Sequence, residues 1–116
     1  MIVAVQGTTE FKDYNVFLRA MSVALSSMKE DDQEFIIYSV GPSNVNNFVS
    51  EFSNLSERGM KARGKKIKFY NTAPAWLDKN MDQVNYFAFL SKPNESKSRL
   101  VYSAEAKNIE VGLFRY

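Results

Sequence analysis

Cysteine and histidine are both missing from the 116 residues. Without cysteine there is no disulfide framework, no zinc ribbon and no thiol nucleophile. Without histidine the commonest general base and the commonest transition-metal ligand are gone. Long apolar runs are missing too, since none approaches the roughly 18 residues that a membrane-crossing segment needs. The chain enters a strand pattern directly, with no basic segment ahead of an apolar one, so a cytoplasmic location without membrane contact is the expectation. Glycine is scarce, at five residues, and this bears on any site built from backbone N–H groups.

What remains is an ordinary globular composition, and its length predicts one domain over 1–116 with room for a single site. The net charge is only +2, but Lys61, Arg63, Lys65, Lys66 and Lys68 crowd into one short run. Such a run reads first as a solvated face and second as a contact for an anionic partner such as nucleic acid.

Along the chain, "IVAVQ" (2–6) is apolar enough for a strand buried on both faces, and Gly7 ends it. Asp13 is placed to cap a helix over about 14–28, where Tyr14, Phe17, Leu18, Met21, Ala24, Leu25 and Met28 recur at three- and four-residue steps. "EFIIYSVG" repeats the strand-then-glycine pattern at 34–41. A second helix follows with Ser43 or Asn44 as its cap, Val45, Phe48, Val49, Phe52 and Leu55 as its stripe, and Gly64 as its stop. "KKIKFY" alternates Ile67 and Phe69 with Lys66, Lys68 and Tyr70, which predicts an edge strand guarded by lysines. "NTAPAWLDKNMDQ" reads as an irregular link, "VNYFAFLS" as the fourth strand, 96–107 as a short helix capped by Glu95 or Ser96, and "NIEVGLF" as the fifth strand.

Strand and helix alternate, so parallel pairing with right-handed crossovers is the economical topology. The expected fold is α/β: a three-layer Rossmann-like sandwich with an open five-stranded parallel sheet in the order 3-2-1-4-5. In that order the crossovers part between strands one and four, and a crevice opens at their carboxyl ends.

"VAVQGTTEFKDYNVFLRAMSVAL" resembles the opening of the SLOG superfamily of Rossmann-like nucleotide-binding domains, in particular its small YspA-like branch. Gly7, Thr8, Phe11, Asp13 and Tyr14 stand where that family has a glycine corner, an aromatic residue and an Asp before a helix. Further fragments resemble the family in the same order, from "FIIYSVGPSNVNNFVSEFS" through "ARGKKIKFY", "WLDKNM" and "FAFL" to "AEAKNIEVGLF". The resemblance implies a nucleotide or nucleotide-derived ligand in the crevice. It would be held by Gly7, Thr8, Thr9 and Lys12 of the first loop, Gly41, Ser43 and Asn44 of the second, and Lys92, Asn94, Ser96, Ser98 and Arg99 of the fourth.

The chain departs from the family where phosphate would be gripped. The second loop reads Gly41-Pro42-Ser43-Asn44-Val45 and lacks one glycine and the acid, while the fourth loop has no glycine at all. The intervening helix before "FAFL" is shortened by about a turn. A cradle of backbone N–H groups needs glycine for positive φ and for close approach, so recognition in the fourth loop would fall to Lys92, Lys97 and Arg99 and to Asn94, Ser96 and Ser98.

Catalysis finds little in the residues. Glu10, Asp13 and Glu95 lack an evident base, nucleophile or metal partner, and only a convergence of three loops would make them a magnesium site. No cofactor is expected. Tyr38, Tyr70, Trp76, Tyr86, Phe87 and Phe89 read as core or sheet-end packing, with stacking on a base as the alternative for Tyr70 and Trp76. Three functions stay open: a non-catalytic nucleotide-type binder; a degenerate interaction or assembly module with an oligomer or protein partner, of the reduced kind found in phages and mobile elements; and a nucleic-acid binder using the 61–68 cluster.

Overall fold

The apolar opening forms β1 (Ile2–Gln6), the middle strand of the sheet, with Val3, Ala4 and Val5 fully buried in the computed structural model, which describes residues 1–116. Val3 and Val5 join one apolar cluster and Ala4 the other, as side-chain alternation along a strand covered on both faces requires. α1 (Tyr14–Ser26) starts at Asp13, whose carboxylate accepts the N–H groups of Asn15 and Val16 at 3.0 and 3.2 Å. A cap of this kind contributes about 1 kcal/mol.

β2 (Glu34–Ser39), α2 (Ser43–Ala62) and β3 (Lys66–Asn71) follow. The cap of α2 differs from expectation: Pro42 occupies that position and makes no side-chain bond, while Asn44 turns its amide away from its own helix. Gly64, expected as the stop, carries a φ of +73° just beyond the helix.

The link after β3 is helical, not irregular. α3 (Pro74–Lys79) begins with a proline whose fixed φ and missing N–H suit a first turn, and a 3-10 turn (Met81–Gln83) continues it. Leu77 and Met81, four residues apart, both bury against the sheet and supply the apolar repeat that the surrounding polar residues hide. β4 (Tyr86–Ser91) is buried at every position. α4 (Arg99–Ala106) starts three residues later than predicted because Ser98, rather than Glu95 or Ser96, accepts the Val101 N–H. β5 (Glu110–Arg115) completes a five-stranded parallel sheet ordered 3-2-1-4-5, a Rossmann-like arrangement.

β1 and β4 lie side by side and parallel, with Val3 opposite Tyr86 and Val5 opposite Ala88. α1 and α2 cover one face of the sheet, and α3 and α4 the other. The two layers are unequal. α2 has 20 residues and α3 only six, so α3 spans roughly 9 Å beside strands of about 20 Å. Half of one sheet face, over β2 and β3, therefore has no helix above it, and Trp76 stands at its rim.

Tyr86 is buried in the larger cluster, and burial pushes its phenol up, with Glu110 adding repulsion for the phenolate. A phenol whose pKa is raised on folding stabilises the fold below the unfolded value of about 10 and loses that contribution as pH rises through the folded value. Ultraviolet titration of the native protein should show a late-ionising tyrosine fraction, and Tyr86→Phe should reduce it. A single ionisation step shared by all tyrosines would contradict this placement.

Candidate functional site at the sheet switch point

The first loop is tied down by the chain itself. Gly7 donates its N–H to the Gly41 carbonyl at 3.1 Å, and a Cβ at Gly7 would lie 2.6 Å from Val45 Cγ2. Glycine is required here because α2 approaches closely. Gly41 is the residue with the left-handed φ, at +88°. Asn44 donates its side-chain amide to the carbonyls of Thr8 and Phe11, strapping the loop to the start of α2. Thr8 Oγ1 meets the Tyr116 hydroxyl at 2.5 Å, and Phe11 packs edge-on against Tyr116 and Phe48. Thr9, Lys12 and Ser43 are exposed, with no side-chain hydrogen bond or ion pair.

The fourth loop is held just as firmly. Lys92 forms an ion pair with Glu10 across the crevice, and Glu95 accepts the Lys92 N–H at 3.1 Å. Arg115, at the end of β5, donates to Ser91 Oγ and to the carbonyls of Lys92 and Glu95. Lys97 is paired with Glu105 at 3.1 Å. Asn94 and Ser96 are exposed, and Asn94 lines an open hollow of about 550 Å³ with Lys92 and Tyr116. The carboxylates of Glu10, Asp13 and Glu95 each have a separate partner, and no group of three His, Cys, Asp or Glu side chains could hold a metal.

The crevice is open on the α3–α4 side. A hollow of about 450 Å³ lies between the carboxyl end of β1 and the N-termini of α3 and α4, lined by Gln6, Asp78, Lys79, Ser98 and Arg99 among others. Ser98 Oγ donates to Gln6 Oε1 at 2.6 Å, and Asp78 accepts from Ser103 Oγ at 2.7 Å. Arg99 and Lys79 are exposed, make no ion pair within the chain and lie where α4 presents its first N–H groups. Two cations outweigh the single carboxylate, Asp78, and with an amide, a hydroxyl and a helix N-terminus the hollow suits an anionic, hydrogen-bonding ligand.

The structure thus gathers Gly7, Thr8, Gly41 and Asn44 into a self-satisfied joint, and Lys92 into a bridge to Glu10. Ser98 and Arg99 it sets in the open hollow. Sequence reasoning missed Gln6, Lys79, Arg115 and Tyr116. Gln6 carried a signal, as the one polar side chain closing an apolar strand at a glycine corner; Arg115 and Tyr116 depend on strand order and Lys79 on the placement of α3. No protein-family model, curated protein or solved structure matches the chain.

Proposed function

We propose that this protein is a non-catalytic binder of a nucleotide or nucleotide-derived ligand, with the anionic part of the ligand in the switch-point hollow. The observation that carries this reading is the pair of cations without ion partners, Arg99 and Lys79, beside the α4 N-terminus at the carboxyl end of β1. In open α/β sheets this is where ligands bind. Arg99 would take phosphate oxygens, Lys79 would add charge, and Gln6 and Ser98 would fix orientation. The SLOG-like order of motifs supports the same ligand class.

A thermal-shift panel of mononucleotides, cyclic nucleotides and ADP-ribose-type compounds tests it. A ligand at 100 times its dissociation constant adds about 2.7 kcal/mol of stability. Arg99→Glu should abolish the shift while leaving the unliganded melting temperature nearly unchanged, because the side chain is exposed and makes no hydrogen bond or ion pair. No shift with any compound overturns the proposal.

The alternative reading, an interaction or assembly module without a small ligand, draws on the Glu10–Lys92 bridge and the Gly7–Gly41 bond, which tie the first loop to the fourth and to the second. It requires an oligomer or a stable protein partner. Light scattering that finds only monomer at every concentration, together with a nucleotide shift, decides against it.

A further inference from the structure

We propose that the bare half of the sheet binds single-stranded nucleic acid, with bases on an aromatic platform and phosphates along the lysine-bearing edge. Register places the residues. Tyr38 lies opposite Tyr70, Ile36 opposite Lys68 and Glu34 opposite Lys66, so all six share the face that α3 leaves uncovered.

Tyr38 has its ring centroid 5.8 Å from Tyr70 and 5.1 Å from Trp76. Tyr70 is 48% exposed and Trp76 41%, on the wall of a groove of about 600 Å³. Flat, exposed rings beside the exposed amide of Asn71 suit a nucleobase, whose π-face stacks whatever its identity.

The charge lies on one side of this platform. Lys68 borders both the aromatic groove and a second hollow around the sheet edge, shared with Lys61, Lys65, Lys66 and Glu57. Two of these cations are already engaged: Lys68 pairs with Glu34 at 3.3 Å, and Lys65 donates to the carbonyls of Lys29, Glu30 and Asp32. Lys61, Arg63 and Lys66 are exposed and have no ion partner within the chain.

Along β3, Lys66 and Tyr70 are separated by roughly 13 Å, and the cations continue past Lys66 to the end of α2. Rings at one end and charge running away from them match a polymer of linked bases and phosphates better than a single nucleotide. A second copy packed face to face would set this positive edge against itself.

Trp76 is the only tryptophan, so its emission reports on the platform directly. Labelled 12-mers of deoxythymidylate and uridylate should raise in anisotropy and quench Trp76 with the same midpoint. The logarithmic salt slope should be about −1.4 to −2.1, for two or three phosphates neutralised at about −0.7 each. Tyr70→Ala should weaken binding by about tenfold, and Lys61→Glu with Lys66→Glu should flatten the salt slope; both sites are exposed, and thermal melts check that the variants fold.

Absence of quenching and of any anisotropy change overturns the proposal. So does equal saturation by a mononucleotide, or a Trp76 change that follows protein concentration alone and so marks self-association. This readout is on Trp76 and the nucleotide thermal shift is on Arg99, so either site can fail without the other.

Discussion

Phe11→Ala is expected to lower the unfolding free energy by about 3–5 kcal/mol, the usual range for emptying a buried phenylalanine site. Phe11 belongs to the loop between β1 and α1, yet it has no exposed surface, and its ring meets Phe48 at 5.8 Å and Tyr116 at 5.0 Å. Its N–H donates to Thr8 and its carbonyl receives the Asn44 amide, so the ring and the loop backbone are fixed together. The neighbours come from α2 and the last residue of the chain and cannot collapse into the space without moving both. Against a total of about 5–15 kcal/mol this is a large fraction. Urea unfolding should show a lower midpoint with an unchanged slope, while Lys12→Ala, one residue on and exposed, should be nearly neutral. A loss at Phe11 below about 1 kcal/mol would mean that the loop is not part of the core.

Gly112→Val should destabilise by about 1–3 kcal/mol or more, as overpacking does, although valine is the better strand residue by propensity. The opposition of the two effects makes the sign informative. A Cβ on Gly112 would lie 1.9 Å from the Tyr86 hydroxyl oxygen and 2.6 Å from Phe114 Cε2. Tyr86 is buried and its ring has little freedom to swing away. Glycine in β5 is therefore the space into which the β4 tyrosine folds. In a Tyr86→Leu background the penalty should shrink, since the two positions are in contact and their effects are not additive. A stabilising Gly112→Val would refute the packing of β4 on β5.

Most of the fold was legible because β1, β2 and β4 are short apolar runs with turn signals, and because α1 and α2 carry long apolar stripes. The strand order came from handedness and alternation, and the structure has the same order. The link containing α3 was not legible, since a helix of six residues shows only one apolar repeat and Leu77 and Met81 stand among polar neighbours. The start of α4 is not legible because Ser96 and Ser98 are equally good caps in sequence; the hydrogen bond from Ser98 to Gln6 on β1 goes with the later start.

The candidate site was legible loop by loop but not in its wiring. The corner at Gly7 has the residues of a phosphate loop, yet its N–H goes to Gly41 and its missing Cβ makes room for Val45. The three basic residues of the fourth-loop region, Lys92, Lys97 and Arg99, look alike in sequence. Only tertiary pairing separates Lys92 and Lys97, which have carboxylate partners, from Arg99, which has none, and Lys79 joins Arg99 only through the placement of α3.

The most direct measurement of the nucleotide-binding reading is a titration of the ¹⁵N-labelled protein with the compounds of the thermal-shift panel, followed residue by residue by nuclear magnetic resonance. Saturable shifts are expected at Gln6, Lys79 and residues 98–100, lost in Arg99→Glu. Saturable shifts centred elsewhere, or none with any compound, would contradict it.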